Sequence, residues 1–373
     1  MLPIIRYYLT LSILVFNALF SQLLLGQGGY SSLNYTDLFT SNVPGGVACY
    51  RIPSLLTTVN GDVLAAVDQR VPNCGDLKLN RDINIVMRRS TDNGETWTEV
   101  QSVVDYPDGE SASDPSMILE RESGDILLFY NYMNLDSAKD IYRLKVIRSC
   151  DNGVSWSPPT DITSQITAEN WHSDFMFITS GRGIQTKSGA LLHTLVNLDR
   201  GLYVFKSEDY GKTWFLLDES IAPADESKLV QLTDGTLMIN SRVNQAGVRY
   251  VHLSDDGGTN WLTRPESTLP DPGCNASIIR YDNGNKSDSK RTLLFSNPNH
   301  PGQRKQLTIR ISYDEGATWS QGKVVYPGSA AYSSMTVLNN GDIGILFERD
   351  DYQRNTFARF SLSWLNDNPS LSK

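Results

Sequence analysis

The chain has 373 residues, of which 40% are hydrophobic and 20% charged, and its formal net charge at pH 7 is −9. This is an ordinary globular composition with enough apolar residues for a large core. The negative charge, with both signs interspersed along the chain, argues against nucleic acid or an anionic membrane as the main partner.

The first 26 residues differ from the rest of the chain. Arg6 is the only charged side chain before an apolar stretch from Tyr7 to Leu25. We interpret residues 1–26 as a secretory signal peptide, with an uncleaved N-terminal anchor as the alternative. The protein is then expected outside the cell or in the periplasm, at a membrane only if the segment stays. Three N-glycosylation sequons fit this route, at Asn34, Asn275 and Asn285.

One octapeptide of pattern S-x-D-x-G-x-[T/S]-W recurs along the chain, and Asn260 is its only departure. The aspartate can accept hydrogen bonds from backbone N–H groups a few residues on, and the glycine supplies a positive φ. The tryptophan can bury a large ring against the neighbouring unit. The octapeptide therefore predicts a structural hairpin turn. The five copies begin at Ser90, Ser149, Ser207, Ser254 and Ser312.

The spacing of the boxes predicts the architecture. Successive copies begin 59, 58, 47 and 58 residues apart, and alternating β-type sequence flanks each one. A four-stranded propeller blade with its loops takes about 40 to 60 residues. Residues 27–373 therefore predict an all-β, six-bladed β-propeller with four-stranded antiparallel blades, in a single domain. Five blades carry a box, and we expect the first blade to lack one.

The cysteines and histidines do not predict a metal site. The four histidines are scattered, and no C-x-x-C pair occurs. Cys150 and Cys274 are expected to be small buried residues, whereas a Cys49–Cys74 bridge stays open. No cofactor and no metal are expected.

A short motif near the start of the propeller adds a functional signal. The element Tyr50-Arg51-Ile52-Pro53 precedes the boxes, and this order resembles that of the exo-α-sialidases, or neuraminidases, of the six-bladed propeller type. The resemblance covers nearly all of residues 27–373. It implies that this domain removes terminal sialic acid from glycans.

The resemblance also implies which residues bind the substrate carboxylate. Three arginines of the family pattern correspond to Arg51, to Arg242 in Leu237–Arg242, and to Arg304 just before the strand that leads to the fifth box. A guanidinium fork is the best side-chain partner for a carboxylate. Three of them would supply a local positive field in an otherwise acidic chain.

The same resemblance implies the catalytic residues. Tyr332 corresponds to the nucleophile and Glu226 to the base that takes its proton. A neutral phenol avoids the repulsion that a second carboxylate would meet beside the acid group of sialic acid. Asp76, in a glycine-containing loop, corresponds to the general acid/base, with Asp82 as the rival.

Three further residues follow the family pattern in supporting roles. Arg70 resembles an arginine near the glycerol or C4 end of the sugar, and Asp114 resembles the aspartate that contacts the amide or C4 region. Glu348 resembles the carboxylate that orients the first arginine. A buried arginine without such a partner would be costly.

The resemblance thus implies a retaining exo-α-sialidase that forms a covalent tyrosine intermediate. Its substrates would be sialylated glycans, glycoproteins or glycolipids, and it would act as a monomer. A trans-sialidase, a glycosidase for the related keto-sugar KDN and a non-catalytic sialic-acid-binding lectin are the alternatives.

Overall fold

The computed structural model of the protein describes residues 33–41, 46–282 and 291–367. The predicted signal segment, residues 1–26, and the sequon at Asn285 lie outside the described residues. What is described consists largely of antiparallel β-strands, which pair in chain order into successive sheets.

The first three blades use the chain from Cys49 to Leu216. Blade 1 contains β2 (Cys49–Thr57), β3 (Val63–Val71), β4 (Asp82–Ser90) and β5 (Gln101–Val104). Blade 2 contains β6 (Glu110–Leu119), β7 (Ile126–Asn134), β8 (Arg143–Ser149) and β9 (Thr160–Asp161), with β11 (Gly181–Arg182) parallel to β6. Blade 3 contains β10 (Met176–Ile178), β12 (Ile184–Gln185), β13 (Leu191–Asn197), β14 (Gly201–Ser207) and β15 (Phe215–Leu216).

The last three blades use the rest of the chain and its first strand. Blade 4 contains β16 (Ser227–Gln231), β17 (Leu237–Ser241), β18 (Val248–Ser254) and β19 (Leu262–Pro270). Blade 5 contains β20 (Ser277–Arg280), β21 (Leu293–Pro298), β22 (Lys305–Ser312) and the first half of β23 (Lys323–Val337). Blade 6 contains the second half of β23, β24 (Ile343–Arg349), β25 (Arg354–Phe360) and β1 (Tyr35–Thr40).

The innermost strands of the blades pack around a common centre. Strand β2 contacts both β6 and β23, while β16 contacts β13 and β20. The ring closes because β1, from the start of the chain, pairs antiparallel with β25 from its end. The predicted all-β, six-bladed propeller is thus confirmed.

Each box forms the tight turn that its residues predict. In the first box, Ser90 Oγ donates to Asp92 Oδ1 at 2.8 Å and accepts from the N–H of Gly94 at 2.8 Å. The Asp92 carboxylate accepts from the N–H of Thr96 at 2.9 Å. In the fourth box the amide of Asn260 replaces the threonine hydroxyl and donates to Asp256 at 2.7 Å. The departure from the pattern therefore preserves the turn.

The box tryptophans and glycines also join neighbouring blades. The ring of Trp97 lies edge-on to Phe357 of blade 6, with the centroids 5.0 Å apart. A Cβ atom at Gly94 would lie 2.4 Å from the same phenylalanine ring, so this position has room only for glycine.

The prediction that the first blade lacks a box is wrong. The five boxes connect the third and fourth strands of blades 1 to 5, and blade 6 has none. In blade 6 the fourth strand is β1, which comes from the other end of the chain, so no hairpin connects it to β25. Ring closure therefore removes the need for a turn motif there.

Helices are short and peripheral. The described α-helices are α1 (Thr163–Ile166) and α2 (Leu362–Asn366), and the 3₁₀-helices span Leu77–Leu79 and Glu169–Trp171. Within the described ranges, none of the helices has the length and apolar character needed to cross a bilayer. The same residues contain no cluster of three or more histidine, cysteine, aspartate or glutamate side chains suited to a metal ion.

Some of the cysteines and sequons are buried, and others are exposed. Cys49 and Cys74 form a disulfide, which settles the pairing that the sequence left open. Cys274 is buried as expected, but Cys150 is exposed, because it lies in the turn of the second box. Asn275 is also buried, and its amide bonds Lys228 and Ser180, so its sequon is inaccessible to glycosylation in the folded chain.

Candidate active site

Three innermost strands break their register where they meet the centre of the ring. The pairing of β2 shifts between Arg51 and Ser54, and that of β6 shifts between Ser113 and Ser116. Strand β23 shifts in the same way between Ala330 and Ser333, on either side of Tyr332. Such bulges re-aim side chains out of the regular alternation of a strand. They bring Arg51, Asp114 and Tyr332 to one place.

These side chains line a cavity of about 770 Å³. All of the predicted site residues except Glu348 form part of its wall, although they come from five of the six blades. The three arginines predicted to bind a carboxylate, and Arg70 as a fourth, thus meet in one cavity of a chain of net charge −9. The predicted residues in the wall are Arg51, Arg70, Asp76, Asp114, Glu226, Arg242, Arg304 and Tyr332.

Tyr332, Glu226 and Arg242 form one hydrogen-bonded group. The phenol of Tyr332 donates to Glu226 Oε2, and Arg242 Nη1 donates to the same oxygen at 2.6 Å. Arg242 Nη1 also lies 3.2 Å from the Tyr332 hydroxyl. Burial, followed by the charge of Glu226, raises the pKa of Tyr332 well above its usual value. The phenol is therefore neutral at pH 7, and a carboxylate is in place to take its proton.

Glu348 lies behind the cavity wall and is fully buried. Its Oε1 atom accepts from Arg51 Nε at 2.6 Å and from the N–H of Ile52 at 2.8 Å. Its Oε2 atom accepts from the N–H of Tyr332 at 3.1 Å. One carboxylate therefore fixes the first arginine and the strand segment that carries Tyr332.

The other two arginines approach Tyr332 from different sides. The guanidinium carbons of Arg51 and Arg304 lie 5.7 Å and 5.4 Å from the centre of its ring. Arg304 Nη2 donates to the carbonyl of Gly273 at 2.9 Å. The cationic groups thus surround the phenol, where an anionic ligand would be favoured.

Asp76 lies on the loop between β3 and β4, at the start of the 3₁₀-helix Leu77–Leu79. Its side chain is 79% exposed, and Oδ1 accepts from Arg70 Nη1 at 2.6 Å. The disulfide ties this loop to β2 through Cys74. Asp82, the rival for the acid/base role, is outside the cavity wall and bonds Asn84 instead. The structure thus brings Asp76 to the other site residues and leaves Asp82 apart.

The pKa of Asp76 differs from what a general acid needs. Partial burial acts to raise it, but the charge and hydrogen bond of Arg70, together with the charges of Arg51 and Arg304, lower the pKa of Asp76 below its usual value. Without a ligand, Asp76 is therefore a carboxylate at neutral pH. This contrasts with the raised pKa that acid catalysis at this position would require.

Asp114 is placed in the opposite electrostatic environment. Its backbone has φ of 62° at the bulge of β6, and its N–H donates to Asp68 Oδ1 at 2.9 Å. Asn131 Nδ2 donates to its Oδ2 atom at 3.0 Å. Burial, reinforced by the charge of Glu226, raises the pKa of Asp114 to about 6. Its carboxyl group therefore changes charge within the range in which many enzymes work.

Arg70 is held by two carboxylates. Asp68 Oδ2 accepts from Arg70 Nη2 at 2.8 Å and from Nε at 3.2 Å, and Asp76 accepts from Nη1. Asp68 is fully buried, and burial raises its pKa to about 8 despite the neighbouring arginine. Arg70 therefore links strand β3 to the loop that carries Asp76.

The cavity contains residues that the sequence did not single out. Asn244 Oδ1 accepts from Arg242 Nε at 2.8 Å, and its amide donates to Asp225 at 2.6 Å. Tyr352, which lies outside the cavity wall, contacts two of the arginines. No motif marks these residues, because they lie in connections between strands whose spacing carries no repeat. The apolar side of the cavity was also unpredicted, and its residues are Leu77, Leu79, Tyr142, Phe175, Phe177 and Leu198.

Comparison with known proteins places the chain in a family. The family model for the BNR repeat-like domain matches residues 75–345. A sialidase from Micromonospora viridifaciens is 37% identical over 346 residues, which cover 85% of this chain and 52% of that protein. The chain thus spans about half the length of that relative.

Solved structures show the same fold. The Hadza microbial sialidase Hz136 superposes with a TM-score of 0.80 and 27% identity, over 89% of this chain and 69% of that one. A leech intramolecular trans-sialidase superposes with a TM-score of 0.76 and 20% identity, over 91% of this chain and 72% of that one. The second likeness concerns the fold alone. The chain therefore belongs to the BNR repeat-like family, and the relatives and solved structures it resembles are sialidases.

Proposed function

We propose that this protein is a retaining exo-α-sialidase that hydrolyses terminal sialic acid through a covalent bond to Tyr332. One observation carries the proposal: a buried phenol donates to the carboxylate of Glu226 inside a cavity that three arginines enter. A structural tyrosine of a propeller core would need neither the base nor the cations.

The substrate carboxylate would bind to the arginines. Among the described residues, Arg51 donates to protein only through Nε, so its two terminal nitrogens point to a ligand role. Arg242 and Arg304 would complete the set. Charge-assisted hydrogen bonds to guanidinium groups are among the strongest in proteins. This binding would place the anomeric carbon, which bears the carboxylate, next to the Tyr332 oxygen.

The first half of the reaction would form the sugar–tyrosine bond. The Tyr332 oxygen attacks the anomeric carbon while its proton passes to Glu226 Oε2, and the bond to the leaving oxygen breaks. Asp76 gives its proton to that oxygen. For Asp76 to carry a proton, its ion pair with Arg70 must loosen when the substrate displaces water from the cavity.

The second half would return the enzyme to its starting state. Asp76, now a carboxylate, takes a proton from water, and the water oxygen attacks the anomeric carbon. The bond to Tyr332 breaks, and the phenolate regains its proton from Glu226. Two displacements at one carbon retain its configuration.

The deciding experiment follows the release of a fluorogenic aglycone from an aryl α-sialoside, with proton NMR of the first sugar product. We expect release and the α-anomer of free sialic acid. A 2,7-anhydro sugar would instead indicate transfer to the substrate's own glycerol arm. Absence of release by folded protein that still binds sialosides would indicate a lectin, and release from KDN glycosides alone would indicate the related glycosidase.

Asp114 gives the proposed activity an expected acid limit. If its carboxylate accepts a hydrogen bond from the substrate amide, it must be ionised. Because its pKa is raised to about 6, the carboxyl group is protonated below that pH and charged above it. We therefore expect kcat/KM to fall as the pH drops through about 6. In Asp114→Asn this fall in kcat/KM on the acid side should disappear. If the fall persists at the same pH, the assignment of Asp114 is contradicted.

We also propose that the protein works outside the cytoplasm. The Cys49–Cys74 disulfide supports this because disulfides persist in oxidising compartments. The apolar stretch from Tyr7 to Leu25 is suited to export. Among the described sequons, Asn34 lies on the exposed surface. Sequencing the N-terminus of protein recovered from the culture medium would locate the cleavage.

A further inference from the structure

Tyr352 contacts two of the three arginines without lining the main cavity. The guanidinium carbon of Arg51 lies over its ring, 4.0 Å from the ring centre. Its hydroxyl accepts a hydrogen bond from Arg304 Nη1 at 3.1 Å. Arg51 belongs to blade 1, and Arg304 directly precedes β22 of blade 5. One side chain from blade 6 thus connects cations from two other blades.

The backbone that carries Tyr352 is unusual. Asp350, Asp351 and Tyr352 have φ angles of 53°, 53° and 67°, so three consecutive side-chain-bearing residues are left-handed. Such residues are uncommon singly, and they persist where the surroundings fix them. A run of three indicates that the position of Tyr352 is maintained against the preference of its own backbone.

The surroundings that fix this turn belong to the strand of the proposed nucleophile. The N–H of Asp350 donates to the carbonyl of Ser329 at 3.1 Å, and Ser329 Oγ donates to Asp351 at 2.6 Å. Tyr326 also donates its hydroxyl to Asp350. Ser329 and Tyr326 both lie on β23, which continues to Tyr332. The turn and the strand of Tyr332 are therefore fastened together.

The chemistry of Tyr352 suits two neighbouring cations that must also receive an anion. The face of an aromatic ring attracts a cation, and a phenol oxygen can accept from one. Both contacts stabilise the arginines without adding a negative charge. A carboxylate at the same place would hold them as well, but it would repel the carboxylate of an incoming ligand.

We propose that Tyr352 is a positioning residue that sets the spacing of Arg51 and Arg304 for the substrate carboxylate. This rests on the proposed function, because it assigns the arginines to that carboxylate. Tyr352 acts through the arginines: it does not line the main cavity, and with Arg304 it lines a smaller one of about 270 Å³. Its ring packs against the apolar cluster of Ile52, Cys274, Ala331 and Tyr332.

Two substitutions separate its two contacts. Tyr352→Phe keeps the ring over Arg51 and removes the acceptor for Arg304, and Tyr352→Leu removes both. With an aryl α-sialoside we expect KM to rise about 5-fold in Tyr352→Phe and about 50-fold in Tyr352→Leu. We expect kcat to change less than about 3-fold, since neither substitution touches the reacting atoms. Tyr313→Phe, which loses one exposed hydrogen bond to Asn366 far along the chain, is the matched control.

A ligand pair provides a readout that general destabilisation would not produce. Calorimetric titration would compare free sialic acid with its C1 methyl ester, in which the carboxylate charge is absent. We expect Tyr352→Leu to weaken binding of the acid by about 50-fold and of the ester by less than about 2-fold. Equal loss for both ligands would show that the whole cavity is disturbed and would overturn the proposal.

The remaining outcomes separate this inference from the proposed function. If wild-type protein binds the acid and Tyr352→Leu binds it equally well, the positioning role is wrong while the sialidase assignment stands. If wild-type protein binds neither sugar and releases no aglycone, the proposed function itself fails, and the positioning role fails with it.

Discussion

Replacing Tyr332 with phenylalanine is expected to lower kcat for an aryl α-sialoside by about 10³-fold or more, since the nucleophilic oxygen is removed. The ring stays between Arg51 and Arg304, and Glu226 keeps its 2.6 Å ion pair with Arg242. Substrate binding should therefore persist, with KM changed only a few-fold. Initial rates at saturating substrate give the measurement.

A matched control is available in blade 2. Tyr130 is also fully buried, and its hydroxyl bonds that of Tyr106 at 3.0 Å, but neither residue lines the cavity. Tyr130→Phe should leave kcat unchanged. Activity of Tyr332→Phe within about tenfold of wild type would contradict a nucleophilic role, because general effects of a lost buried hydroxyl are of that order at most.

Replacing Glu226 with glutamine is expected to lower kcat by about 10²- to 10⁴-fold, the usual contribution of a positioned base. Glutamine has nearly the shape of glutamate, so the cavity is preserved. The neutral amide, however, cannot take the phenol proton, and it gives up the charge that Arg242 now pairs with at 2.6 Å. Single-turnover measurements of aglycone release would isolate this step from product release.

The control for this change is another carboxylate paired with arginine. Glu266 accepts from Arg264 at 2.6 Å on β19, away from the cavity. Glu266→Gln should leave kcat within about 2-fold of wild type, because Glu266 does not line the cavity. The double variant Tyr332→Phe/Glu226→Gln should be no slower than Tyr332→Phe alone. Additive losses would mean that the two residues do not act as a unit.

The regular part of the fold could be predicted because its physics is local. Each box contains its own hydrogen-bond partners within eight residues, so its turn can be recognised anywhere in the chain. Even Asn260, which departs from the box pattern, keeps the hydrogen bond to the box aspartate. The missing sixth box was assigned to the wrong end, because the pairing of β1 with β25 joins strands from opposite ends of the chain and is not determined by sequence neighbours.

The residues of the candidate site could likewise be predicted only where a local sequence motif or the family pattern marks them. Arg51 stands in a short motif, and the other assigned residues follow from the family pattern, so the sequence sufficed to name them. The role of Tyr352 could not be predicted, because it depends on contacts between residues that are distant in the sequence. Tyr352 stands in a left-handed turn that is bonded to β23, and it contacts two arginines about 50 and 300 residues away along the chain. Burial of Asn275 and exposure of Cys150 likewise depend on packing between blades. Electrostatics was harder still, since Arg70, Arg51 and Arg304 together lower the pKa of Asp76, where a raised pKa was expected.

The pairing of β1 with β25 also bears on how the protein is made. Blade 6 holds Glu348 and the second half of β23, and it is complete only when the strand synthesised first meets one of those synthesised last. Growing chains must therefore keep Tyr35–Thr40 available until Arg354–Phe360 has left the ribosome. A fragment that stops short of β25 lacks the strand pairing that closes the ring, so we expect the proposed activity to appear only once Arg354–Phe360 is present.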